Sequence, residues 1–138
     1  MKEFKVSVIV TTAQMRLAEL SEILGREADP GSKDIGTRCV TVRNPLGYTL
    51  SDSEWKLFSE EDEDATLDKH IESVLGRFPL SRLGDGVLPA DAEATLNIAV
   101  FFDTPMSSVW LKAEHVRVLG EHGMDIHISC YPCSDSDE

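Results

Sequence analysis

The sequence predicts an α+β fold: a two-layer domain with a mainly antiparallel sheet of about five strands, two or three helices on one face, and a pseudo-symmetric ferredoxin-like arrangement. Three observations carry this expectation. Strand-type alternation of apolar and polar residues occurs near both ends of the chain, over Phe4 to Thr12 (FKVSVIVTT) and Thr95 to Thr104 (TLNIAVFFDT). Each stretch leads to a helix-type segment ending in leucine and glycine, Glu19 to Gly25 (ELSEILG) and Glu114 to Gly120 (EHVRVLG). Aligned, Glu19, Leu24 and Gly25 match Glu114, Leu119 and Gly120, and Ile23 is answered by Val118. Two such strand-helix units about a pseudo-twofold axis would lay their strands in one sheet and their helices on one side of it.

The elements follow in order. Phe4, Val6, Val8 and Val10 alternate with Lys5, Ser7, Ile9 and Thr11, which predicts a central strand with one buried side. From Met15 the period becomes helical, with Leu17, Leu20, Ile23 and Leu24 on one stripe and Gly25 as the stop. Arg26 to Asn44 reads as a loop rich in Asp, Pro and Gly that leads to a short strand over Cys39, Val40, Thr41 and Val42. After a turn at Pro45, Gly47 and Ser51 to Ser53, Trp55 and Leu57 share one face of another strand, where core packing is the expected role of Trp55.

Five consecutive acids, Glu60, Glu61, Asp62, Glu63 and Asp64, then precede a helical stripe of Leu67, Ile71, Val74, Leu75 and Phe78. Negative charge at or before a helix N-terminus complements the macrodipole. Pro79 to Asp91 predicts a surface connection with at most one helical turn near Leu80 to Leu83. Leu96, Ile98, Val100 and Phe102 mark the next strand, ended by Thr104 and Pro105. A helix over about Lys112 to His122 follows, with Gly123 as a second stop, and a last strand runs from Met124 to Tyr131. These elements divide the chain into one domain over 1–131 and a polar, disordered acidic tail over 132–138.

At 138 residues and 41% hydrophobic, the chain can bury a core without metal or disulfide staples. Its opening residues lack the layout of a secretory signal, no run reaches the length of a membrane helix, and three cysteines suit a reducing compartment. A cytoplasmic location is expected. Acids outnumber bases 25 to 13, a formal net charge of -12. Such a surface repels phosphate polyanions and anionic lipid, so nucleic acid and membrane are not expected partners; a basic protein is the natural one.

The stretch from Phe4 to Tyr131 resembles a family of small bacterial domains of unknown function. The features that carry the resemblance are the opening strand and helix ending Ile23-Leu24-Gly25, the Gly-containing basic loop around Lys33 to Arg38, the Trp55-Lys56-Leu57 strand, the helix with His70-Ile71 and Val74-Leu75, and the closing Gly123 to Tyr131 strand. The resemblance implies an α+β sheet with helices on one side. By analogy with other small acidic domains, it also points to an immunity protein that neutralises a toxin.

No catalytic motif is evident. Cys130 and Cys133 form a CxxC, but it follows a strand rather than opening a helix, so nothing activates the thiols, and Cys130 is expected to pack in the core. His122, His127, Cys130 and Cys133 have zinc-ligand chemistry, yet His127 and Cys130 lie three apart on a strand and face opposite ways. The histidines belong to no nucleophile motif, and the glycines to no phosphate loop. The strongest candidate surface is the sheet face away from the helices, carrying Lys5, Ser7, Ile9 and Thr11, then Thr95, Asn97, Ala99 and Phe101, then Asp125, His127, Ser129 and Tyr131.

The sequence therefore points to a non-enzymatic, acidic protein-interaction module without metal or cofactor, an inhibitor or immunity protein for a basic partner. Its expected contact residues are Glu60, Glu61 and Asp62 for charge and Trp55, Phe101, His127 and Tyr131 for area. The alternative reading is a small-ligand regulatory domain acting as a homodimer.

Overall fold

Alternating burial along the first strand organises the whole molecule. In a computed structural model describing residues 2–84, 86–103 and 108–133, β1 (Lys2–Thr12) buries Phe4, Val6, Val8 and Val10 on one side. It is followed by α1 (Leu17–Leu24), β2 (Arg38–Cys39), β3 (Tyr48–Thr49), β4 (Ser53–Phe58), α2 (Leu67–Arg77), a 3₁₀ turn (Leu80–Arg82), β5 (Glu93–Phe102), α3 (Ala113–Glu121) and β6 (Asp125–Pro132). Among the described residues the fold is α+β with three helices, a four-stranded mixed sheet in the order β4-β1-β5-β6, and a two-stranded ribbon of β2 and β3.

β1 is central, as its pattern predicts, with β4 and β5 antiparallel to it on either side. β6 then runs parallel to β5. A ferredoxin-like sheet would interleave two strand-helix-strand units with antiparallel neighbours throughout. Here β5, α3 and β6 form an adjacent parallel unit, whereas β1 and α1 lead through a long loop to an adjacent antiparallel β4. The repeated strand-helix halves thus share local structure but continue differently. Among the described residues the main sheet holds four strands rather than about five, because the segment after Cys39 leaves the expected strand: Arg38 and Cys39 alone pair with Tyr48 and Thr49, and Val40 and Val42 are exposed.

One hydrophobic core gathers the inward residues of β1, β4 and β5 with Leu20 and Leu24 of α1, Ile71 and Val74 of α2 and Leu119 of α3. Each helix contributes a stripe at the 3–4 residue spacing its sequence shows. The helix ends have identifiable causes. Gly25 takes φ 72° and closes α1, and its N–H donates to the Ser21 carbonyl at 2.9 Å. At the other end, Glu19 Oε1 accepts the Arg16 N–H at 3.3 Å and the Leu17 N–H donates to Asp34 Oδ1 at 2.6 Å, so the Arg26 to Asn44 loop adds a distant acceptor to the local one. For α3 the stop is not Gly120, which lies inside the helix, but Gly123 at φ 66°. The apparent Gly25–Gly120 match is therefore not a shared stop.

Pro132 belongs to β6, and the Cys133 N–H donates to the Phe102 carbonyl at 2.6 Å, so both are held against the sheet. Residues 134–138 of the expected acidic tail and the expected strand end at Thr104 and Pro105 lie outside the described residues.

Candidate functional site

The strand register brings the open sheet face together residue by residue. Ile9, Ser7 and Lys5 of β1 stand opposite Thr95, Asn97 and Ala99 of β5, which stand opposite Asp125, His127 and Ser129 of β6; Phe101 faces Tyr131 in the same row. Since side chains alternate along a strand, the register puts all of these on the side away from the helices. Among the described residues no helix covers the aromatic end: Phe101 is half-buried and Tyr131 is 47% exposed. Their rings stack at a centroid separation of 5.1 Å and an interplanar angle of 18°. Lys5 Nζ lies 5.5 Å from the Phe101 centroid, within cation–π range.

The acidic run reaches the same corner. After β4 the chain stays beside β1, because the Ser59 N–H donates to the Val6 carbonyl at 2.9 Å and the Phe4 N–H donates to the Glu63 carbonyl at 3.0 Å. Ser73 Oγ accepts the Glu60 N–H and Ser59 Oγ accepts the Glu61 N–H, each at 3.1 Å, which anchors the start of the run. Glu63 Oε1 lies 3.9 Å from Lys5 Nζ, so one ammonium touches both the acids and the Phe101–Tyr131 stack. Glu3, on the same strand face, shares a hydrogen bond with Glu63. That bond, with some desolvation and the negative charges of Glu63 and Asp64, holds the Glu3 carboxyl above the usual value for glutamate.

The five acids are all exposed but not equivalent. Glu60 is paired with Arg77 Nη1 at 2.7 Å, and Arg77 also donates to the Phe58 carbonyl, which ties the run to the end of β4. Among the described residues, Glu61 and Asp62 have no basic partner within ion-pair range. The run does not itself cap α2: the cap is Thr66, whose hydroxyl accepts the Lys69 N–H at 3.4 Å. Ser59 Oγ also lies 2.7 Å from His70 Nδ1. The His70 ring is sealed in the core edge-on to Phe4, and its Nε2 has no hydrogen-bond partner, hence no carboxylate to orient it as a base. This pair anchors the acidic run.

Glu61 and Glu63 thus lie beside Lys5, which in turn contacts the Phe101–Tyr131 stack, whereas Glu60 is held toward Arg77 at the end of β4. His127 is on the same face but farther along β6, with Nδ1 2.9 Å from Asn97 Oδ1. His127 and Asn97, with Ile9, Thr95, Asp125 and Ile126, line a shallow concavity of about 590 Å³. Trp55 is elsewhere: it is 0% exposed, packs in the core and offers no contact surface. Cys130, expected in the core, is exposed because β6 is a sheet edge whose outer side nothing covers among the described residues.

The exposed tryptophan is Trp110, at 82%, which pattern reading passed over because it belongs to no periodic segment. With Phe4, Leu67, Leu111, Thr66, Asp68 and Lys112 it borders a cavity of about 400 Å³ at the N-terminal end of α2, just past the acidic run. Its one visible signal was a large aromatic in a stretch with neither strand nor helix spacing. No family model, curated protein or solved structure shows a significant match to the chain. No helix among the described residues is long and apolar enough to cross a membrane.

Proposed function

We propose that the chain is a non-enzymatic, acidic interaction module of the cytoplasm, an inhibitor or immunity-type protein that docks onto a basic partner. The observation that supports this reading is the continuity of charge and aromatic area: Lys5 bridges Glu63 and the Phe101–Tyr131 stack. Unpaired Glu61 and Asp62 would steer a basic surface into encounter, and the stacked rings would supply desolvated contact area beside them. Trp110, at the far side of the acidic run, takes the role that Trp55 cannot fill.

The test is capture from native lysate with wild-type chain, a Glu61→Gln/Asp62→Asn variant and a Phe101→Ala/Tyr131→Ala variant, at low and high salt. The reading expects one basic protein retained at low salt, released at high salt and lost by both variants. Recovery of the chain alone, or retention indifferent to both variants, overturns it. The concavity around Asn97 and His127 favours a second reading, a small-ligand regulatory domain acting as a homodimer. Saturable stabilisation by a metabolite, abolished by Asn97→Ala and with no protein captured, would select that reading.

A further inference from the structure

α2 and α3 bring together three side chains that no sequence spacing relates. Glu72 comes from α2, and Glu114 and His115 from the first turn of α3. One ligand atom of each lies within 4.8 Å of the others. The two carboxylates are exposed, while His115 is only 7% exposed. Its Nε2 points toward Glu72 Oε1 at 3.7 Å, beyond hydrogen-bond length, and among the described residues its Nδ1 has no hydrogen-bond partner. A buried imidazole normally satisfies its nitrogens; here the ring is buried with its Nε2 facing Glu72, and Glu114 completes the cluster.

We propose that Glu72, Glu114 and His115 bind a divalent transition-metal ion, with zinc the best match to one imidazole and two carboxylate donors. Zinc–nitrogen and zinc–oxygen bonds of about 2.0–2.2 Å put tetrahedral ligands roughly 3.4 Å apart. The observed spread closes to that by side-chain rotation of the two exposed glutamates. Water takes the fourth position.

The surrounding charge fits a dication. Lys112 pairs with Asp68 at 3.3 Å on the same helix pair. Asp68, Glu72 and Glu114 against Lys112 leave two negative charges for the ion to neutralise. The unpartnered Nδ1 sets the strength of the site. Metal-bound histidines usually donate their other N–H to a supporting acceptor, and losing that support costs about 10–100-fold in affinity. Binding is accordingly moderate and exchangeable, and it clamps α2 to α3.

The test uses full chain carrying Cys130→Ser and Cys133→Ser, which removes the exposed thiols as competing zinc ligands. Zinc chloride titrated calorimetrically into metal-free protein should bind one equivalent and raise the melting temperature. Glu72→Gln and Glu114→Gln, both at exposed positions, should each weaken binding by about tenfold or more without altering the circular dichroism. Cobalt(II) should give visible ligand-field bands without a thiolate charge-transfer band. Absence of saturable one-to-one binding, indifference to both glutamate substitutions, or a thiolate band from Cys39 would overturn the proposal. His115→Gln can unfold a buried position, so the two glutamate variants decide.

Discussion

Trp55 donates its indole N–H to Ser21 Oγ at 3.2 Å and packs edge-on against Phe78, with ring centroids 5.7 Å apart. These contacts join β4 to α1 and to the end of α2. Trp55→Ala should therefore destabilise by about 3–5 kcal/mol, read as a lower denaturation midpoint, because the cavity cannot collapse between a sheet and two helices. A different behaviour follows for Glu3. Its carboxyl, raised chiefly by the hydrogen bond with Glu63, is stabilised in the protonated form by folding. That contribution is complete below the unfolded-state value of about 4.3 and is lost as pH rises through the higher folded value. Glu3→Gln should therefore raise the melting temperature at neutral pH and flatten the decline in stability above about pH 4.3; an unchanged pH profile would refute the shared proton.

Among the elements, α2 shows how local and distant causes combine. Thr66 caps its N-terminus, and Leu67, Ile71 and Val74 give it an apolar stripe, so this helix is specified within its own sequence. Thr66→Ala should cost about 1 kcal/mol in chemical denaturation. α1 is specified partly from outside, by Asp34 reaching its first N–H across seventeen positions of sequence. That is why its stripe and its glycine stop were readable while this distant part of its start was not. β2 and β3 show the reverse difficulty: Cys39 to Val42 alternates like a strand, but without a neighbouring sheet edge only two residue pairs form. Alternation signals compatibility with a pleated surface, and pairing requires a partner at hand.

For the whole molecule, charge is the governing quantity. A net charge of -12 makes the folded state repel itself, so added salt should raise the melting temperature over the range in which the screening length shrinks to about 10 Å. A variant neutralised at Glu61 and Asp62 should show a smaller rise. The same charge defines the proposed docking corner, whose parts were legible separately. Alternation alone assigned Lys5, Phe101, His127 and Tyr131 to the open face, because side-chain direction along a strand has a period of two whatever the strands pair with.

Which parts meet was a matter of topology. That Glu63 lies against Lys5, that Trp55 is sealed and Trp110 exposed, that β6 is a parallel edge leaving Cys130 outside, and that Glu72 meets His115 all depend on contacts between residues far apart in the chain. Periodicity is a property of neighbours and was written into the residues. Strand order, register and helix docking come from the mutual burial of several such stripes, a global balance that no single window of sequence contains.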